Sequence, residues 1–230
     1  GRPGPVHLSL PEDVLEARIE PVAGVSRERF QPRPMPLAEL AADAVMTALR
    51  SAGRPLILAG PMGGTALARE RLQTLERVTG IPVVTMASPR GVNDPAMGAF
   101  SGCLARADCL LLLGKQPDHT LGFLRPPQVA ADCRLLQIDP DPGFRQRLAG
   151  FAADQGRSEP WQAEADVVSA IQALLARPAA RHPATAWAEQ VRTAIRYRPP
   201  EWRNATSGTP GRLHPAELCA VIQPLLDARE

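Results

Sequence analysis

Residues 54–80 read RPLILAGPMGGTALARERLQTLERVTG, and three textures follow one another within them. Pro55 to Ala59 is an apolar run without polar alternation, the pattern of a strand covered on both faces. Gly60-Pro61-Met62-Gly63-Gly64-Thr65 is rich in turn formers. From Thr65 the apolar spacing becomes that of an amphipathic helix. A buried strand, a glycine turn and a helix in this order are the repeating unit of a parallel α/β sheet.

The unit recurs outward from this stretch. IPVVTMA (81–87), DCLLLLGK (108–115) and CRLLQIDPD (133–141) read as three more buried strands, and ADVVSAIQALLA (165–176) as a closing helix with Val167, Ala170, Ile171 and Leu174 on its apolar face. Upstream, LAELAADAVMTALRSAG (37–53) is a helix that sets Leu37, Leu40, Ala41, Ala44, Val45 and Leu49 on one face and ends at Gly53. The expected core, residues 37–176, is therefore α/β: a doubly wound parallel sheet with helices on both faces, Rossmann-like in plan.

The flanks are different in character. GRPGPVHLSLPEDV (1–14) holds a short alternating run, Val6 to Leu10, which reads as a strand in need of neighbours. Residues 15–36 carry repeated Pro and no sustained period, and are expected to form a linker. Residues 177–212 are rich in Arg, Pro and Ala and read as a second linker with one helix near Thr185 to Tyr197. LHPAELCAVIQPLLDARE (213–230) is an amphipathic helix with Leu218, Val221, Ile222 and Leu225 in register.

Composition excludes several function classes. The 230 residues carry a formal net charge of +2, Lys115 is the only lysine, and no basic block with interleaved aromatics suggests nucleic acid as a partner. The longest apolar run, Cys109 to Leu113, is too short for a membrane span, and no charged-then-apolar leader precedes the opening. Four cysteines, at 103, 109, 133 and 219, lack the spacing of a zinc or redox motif. Reduced, structural thiols in a soluble cytoplasmic protein are expected.

Taken in order, these segments resemble the thiamine-diphosphate-dependent enzymes of the acetolactate synthase, benzoylformate decarboxylase and benzaldehyde lyase type. GRPGPVHLSLPEDV is similar to the closing strand of that family's pyrimidine-binding domain. RPLILAG, GIPVVTM, ADCLLLLG (107–114), LLQIDPDP and ADVVSAIQALL are similar to its central domain, and LHPAELCAVIQPLL to the first helix of its diphosphate-binding domain. The resemblance implies a middle segment of a larger homo-oligomeric enzyme acting on 2-oxo acids or their carboligation products. Its partners would be the flanking domains, which hold thiamine diphosphate and Mg²⁺. The family's activating Glu lies in the upstream domain, and its Gly-Asp-Gly metal motif does not occur in this sequence. The chain alone is therefore expected to be non-catalytic, with no catalytic or metal-binding residue.

A cofactor role is still open to the central domain. Gly60, Gly63 and Gly64 stand between a strand and a helix, where glycines let phosphate approach a helix N-terminus, or merely permit a tight turn. Gly114 follows the third strand and Asp139 the fourth, so all five residues fall at the carboxyl edge, where sheets of this kind bind ligands. Asp139 suits a nucleotide ribose, or alternatively a turn before Pro140. Family members hold FAD, ADP or nothing there. Gln116 and Thr120 stand where the family's FAD pattern has Arg, which favours ADP over FAD, and the stretch between Gly98 and Asp108 is shorter than the family's. Asp118 is the surviving acid of the FAD pattern, and His119 beside it could form a catalytic pair, but with no nucleophile nearby in sequence both read as surface turn residues. His7, His182 and His214 show no metal spacing, and Trp161, Trp187 and Trp202 as anchors for the Pro-rich later segment. The alternatives from other classes are a stand-alone ADP, FAD or NAD module with a carrier or regulatory role, and a spacer that organises subunits.

Overall fold

In a computed structural model, residues 5–21, 23–31, 33–177, 181–203 and 205–228 are described. Residues 1–4, where the sequence suggests an opening turn, lie outside them. Five strands form one sheet: β1 Pro55–Ala59, β2 Val83–Thr85, β3 Cys109–Leu113, β4 Arg134–Ile138 and β5 Trp161–Ala163. Their order is β2-β1-β3-β4-β5, with every neighbouring pair parallel. This is the doubly wound α/β sheet expected from the apolar runs. The chain order reverses direction between β1 and β3, which makes that pair the topological switch point.

Nine helices accompany the strands among the described residues: α1 Glu12–Glu16, α2 Glu39–Ser51, α3 Ala66–Thr79, α4 Phe100–Leu104, α5 Pro142–Asp154, α6 Val167–Leu175, α7 Thr185–Arg196, α8 Pro200–Arg203 and α9 Pro215–Asp227. Two separate apolar clusters explain why the strands are apolar throughout. Ile57, Ala59, Leu111, Leu113, Leu136 and Ile138 point into a core with α2, α3 and α6. Leu56, Leu58, Leu110, Leu112 and Leu135, one residue out of step, point into a second core with α4, α5 and α7. Alternation is present, but both faces are buried and hydropathy alone cannot register it.

The face of α2 departs from the sequence expectation. Ala42, Val45, Met46, Ala48 and Leu49 are buried, whereas Leu40 is 84% exposed and Ala44 also faces solvent. Leu37 is buried but stands before the helix, which begins at Glu39. Counting Leu37 as the first helical residue turned the expected stripe away from the one that Ala42, Val45, Met46 and Leu49 define.

The fifth strand was not foreseen, and it takes Trp161 out of the Pro-rich segment and into the sheet edge. Trp187 does anchor the later chain: it is 3% exposed and its Nε1–H donates to Pro55 O at 2.8 Å. With Ala188 and Val191, it brings α7 into the domain's packing. Trp202 is exposed. Before the domain, Met35 and Asp166 exchange hydrogen bonds, Met35 N–H to Asp166 Oδ2 at 2.7 Å and Asp166 N–H to Met35 O at 2.9 Å. Residues 5–10 pair with no strand among the described residues, and Val6, Leu8 and Leu10 are exposed. On α9, capped by a reciprocal His214–Glu217 box, Leu218, Val221, Ile222 and Leu225 are likewise exposed.

Candidate functional site

The carboxyl edge is built by a row of backbone hydrogen bonds that continues one step past the strands. Met86 N–H donates to Ala59 O, Gly60 N–H to Leu113 O and Gly114 N–H to Ile138 O, each at 2.9 Å, and Asp139 N–H donates to Ala163 O at 3.2 Å. Gly60, Gly114 and Asp139 thus stand on successive rungs of one edge. Gly63 is tied to the same edge by its N–H to Gly60 O at 2.8 Å.

Three of the four glycines serve protein packing there. A Cβ on Gly60 would overlap the carbonyl oxygen of Gly114, so the switch point is closed by two backbones meeting. Gly114 has φ +60°, and a Cβ on it would overlap Val167 Cγ2. On Gly63, a Cβ would come within 2.8 Å of Ala59 Cβ and 3.0 Å of Leu72 Cδ1, so this glycine lets α3 approach β1. Gly64 alone has open space, with nothing within 4 Å of an added Cβ. Its carbonyl accepts from Arg69 Nη2 at 3.0 Å, and the adjacent Thr65 caps α3 by accepting from Ala68 N–H at 3.4 Å.

Asp139 is 1% exposed. Its Oδ1 accepts from Asp141 N–H at 2.9 Å, and its carbonyl accepts from Arg145 Nη1 at 2.7 Å. Asp141 in turn caps α5 by accepting from Gly143 N–H at 2.8 Å. The acid therefore shapes the turn that launches α5, an Asx-type arrangement.

A cluster that the sequence did not single out stands beside this edge. Lys115, 4% exposed, donates from Nζ to Thr120 Oγ1 at 2.7 Å, to Asp118 Oδ1 at 3.1 Å and to Gln116 O at 3.1 Å. Asp118 Oδ1 also accepts from the Thr120 hydroxyl, and from Thr120 N–H at 3.0 Å. Burial pushes the Asp118 carboxyl up, but the Thr120 hydroxyl and the Lys115 ammonium outweigh it and hold the group below its usual value. His119 is exposed, with Nε2 3.3 Å from Pro89 O, while Asp118 turns inward. The signal for Lys115 was its singularity: one lysine among arginines, directly after a buried strand.

The loop that follows is held at its far end by Arg157. Its Nη1 donates to Ala130 O (2.7 Å) and Ala131 O (3.0 Å), and its Nη2 to Leu124 O (2.7 Å) and Val129 O (3.0 Å). This clamp accompanies left-handed backbone at Phe123 and Leu124, with φ of 54° and 57°, which L-residues adopt only where surroundings impose it. Cys109 and Cys133 lie at the other, amino-terminal end of β3 and β4. Burial pushes Cys109 up to about 11 and Cys133 up to about 12, which keeps both thiols protonated at neutral pH.

Among the described residues, no three His, Cys, Asp or Glu side chains stand together as a metal-ligand set. A metal-bound diphosphate needs several oxygen ligands in one place, and the described residues bring together no such set. No helix among the described residues is long and apolar enough to cross a membrane.

Comparison with known proteins gives this edge its context. Residues 42–153 match the family model described as thiamine pyrophosphate enzyme, central domain. Curated relatives include 2-hydroxyacyl-CoA lyase 1 of Mus musculus, 30% identical over 145 residues (60% of this chain, 25% of the relative). Oxalyl-CoA decarboxylase of Escherichia coli K12 is 29% identical over 185 residues (76% and 31%). A probable acetolactate synthase large subunit of Methanococcus aeolicus is 32% identical over 162 residues (62% and 26%). Among solved structures, benzoylformate decarboxylase from Polynucleobacter necessarius aligns with a TM-score of 0.52 at 12% identity, over 73% of this chain and 32% of that one, which is a likeness of fold. The chain thus spans 25–31% of the length of these curated relatives. The family resemblance read from the sequence is borne out.

Proposed function

We propose that this chain, whose residues 42–153 are the central domain of a thiamine pyrophosphate enzyme, serves as the rigid middle of a decarboxylase, lyase or carboligase of that family. In this reading the parent is a cytoplasmic homo-oligomer. It holds thiamine diphosphate and Mg²⁺ on domains that flank this one, and it acts on 2-oxo acids or their carboligation products. The names of the relatives, a lyase, a decarboxylase and a synthase, support the reaction class. The exposed apolar rows, Val6, Leu8 and Leu10 at one end and Leu218, Val221 and Leu225 at the other, support flanking domains as the partners that cover them.

At the carboxyl edge the better reading is structural. The observation that carries it is the closure of the switch point by Gly60 against the Gly114 carbonyl. A second reading places ADP at this edge in preference to FAD, with phosphates near Gly63 and Gly64 and the ribose on Asp139. The open space at Gly64 favours it. It asks a carboxylate that is 1% exposed, with Oδ1 already on Asp141 N–H, to reach a ribose, and phosphates to share the α3 N-terminus with Thr65. Calorimetry of the chain with ADP, FAD and NAD separates the two. No heat with any of the three is the expected result. ADP binding that weakens at least tenfold in Asp139→Ala would establish the second reading instead.

A further inference from the structure

The opposite, amino-terminal edge of the sheet carries a concavity with different chemistry. A cavity of about 400 Å³ opens between the end of α3 and the start of α7, and its wall includes Gln73, Glu76, Arg77, Arg181, Thr185 and Arg192. Three guanidiniums therefore face one carboxylate. That carboxylate is already engaged: Glu76 Oε1 accepts from Arg192 Nη1 at 3.1 Å, and its Oε2 from Val83 N–H at 3.2 Å. Arg192 also pairs with Glu189 at 2.8 Å. Neither Arg77 nor Arg181 has a carboxylate partner among the described residues, so the wall carries an excess of positive charge.

The position of Arg181 is prepared by its surroundings. Gly80 closes α3 with φ +70°, and a Cβ there would stand 3.1 Å from Arg181 Cγ and 3.5 Å from its Nε. The glycine thus leaves room for the arginine stem to lie across the helix end. The next residue fixes the backbone: His182 N–H donates to Thr79 O at 2.6 Å, its Nδ1 accepts from Ala184 N–H at 3.1 Å, and its Nε2 reaches Ala52 O at 2.9 Å. His182 is 3% exposed, a wedge that holds residues 181–184 against the domain. Immediately after it, α7 starts at Thr185 without a side-chain cap. Thr185 stands at the same wall, while the N–H groups of Ala184, Thr185 and Trp187 are engaged by His182 Nδ1, Pro183 O and Ala184 O.

We propose that this cavity is a binding site for a phosphate-bearing small anion, gripped by Arg77 and Arg181 with Thr185 beside them. Guanidinium forks match phosphate oxygens in pairs, which suits this chemistry better than a single ammonium would. The site lies at the edge of the sheet away from Gly60, Gly114 and Asp139, and it stands whether or not the carboxyl edge holds a nucleotide.

Inorganic pyrophosphate is the probe, titrated calorimetrically into the 230-residue chain at low ionic strength. One site is expected, with affinity that falls as salt rises. Arg181→Gln and Arg77→Gln should each weaken binding at least tenfold, Arg181→Lys less than Arg181→Gln, and Arg29→Gln, exposed and outside the cavity wall, not at all. Circular dichroism checks that each variant is folded; if one arginine variant does not fold, the other gives the reading. No saturable heat at millimolar pyrophosphate, an equal loss in Arg29→Gln, or sulfate binding as tightly as pyrophosphate would each overturn the proposal.

Discussion

Gly60 and Gly114, the residues that follow the two central strands, stand so close that a Cβ on the first would overlap the carbonyl oxygen of the second. The crevice at which sheets of this kind receive ligands is here brought to backbone contact. The glycine at position 60 is accordingly required by packing, whatever the edge binds.

Gly60→Ala must push two backbones apart and should destabilise the chain by about 2 kcal/mol or more. At this chain length that lowers Tm by roughly 4–8 °C. Gly64→Ala has open space and no positive φ, so it should be neutral or raise stability by up to about 1 kcal/mol through the unfolded state. Thermal melts of the two variants check this. Equal losses at both positions would contradict the assignment of Gly60 to packing.

Trp187 ties α7 to the first strand. Trp187→Phe keeps most of the apolar volume but leaves Pro55 O without its 2.8 Å donor, a loss of about 1–3 kcal/mol. Trp187→Ala also opens a cavity in the second core and should cost about 3–5 kcal/mol. Urea denaturation of both variants measures the difference.

Asp118 gives a pH dependence of definite sign. Its carboxyl is held below the usual value of 3.8 in the folded chain, so its contribution to stability is complete above that value and is lost as pH falls through the lower, folded pKa. Asp118→Asn should therefore be less stable than the parent chain at neutral pH, and the gap should narrow as pH falls below 3.8. Melts between about pH 6 and pH 2 test it. A gap that stays constant across that range would contradict the role given to the Lys115–Asp118–Thr120 cluster.

Thiol chemistry should divide the cysteines. Cys103, Cys109 and Cys133 are buried and Cys219 is exposed. In the folded chain a water-soluble disulfide reagent should modify Cys219 rapidly and the other three only upon unfolding. Rapid reaction of Cys109 or Cys133, whose thiols burial pushes up to about 11 and 12, would show that the first or the second core, respectively, opens readily.

Four strands were legible because each lies in a run of apolar residues bounded by polar or turn-forming ones. β2 is itself only three residues at a sheet edge, but Ile81, Pro82 and Met86 extend its apolar run. The fifth was not legible: Trp161-Gln162-Ala163 is three half-buried residues at the other edge, with no apolar run extending them. Gly60, Gly114 and Asp139 could be placed on one edge from sequence because strand ends fix position. What each does there depends on the neighbour it meets, Gly60 on the Gly114 carbonyl and Asp139 on Asp141 N–H, and such contacts have no linear signature. The same holds for Leu40 and Ala44, whose exposure depends on where α2 begins.

The central claim is that this chain is the middle domain of a thiamine-diphosphate enzyme and leaves the cofactor to its neighbours. Calorimetric titration of thiamine diphosphate with Mg²⁺, into the 230-residue chain and into the parent gene product carrying both neighbouring domains, tests it most directly. The predicted result is no binding by the chain alone and saturable binding by the longer protein, with turnover of a 2-oxo acid or a carboligation product. Saturable binding or turnover by the 230-residue chain alone would contradict the account.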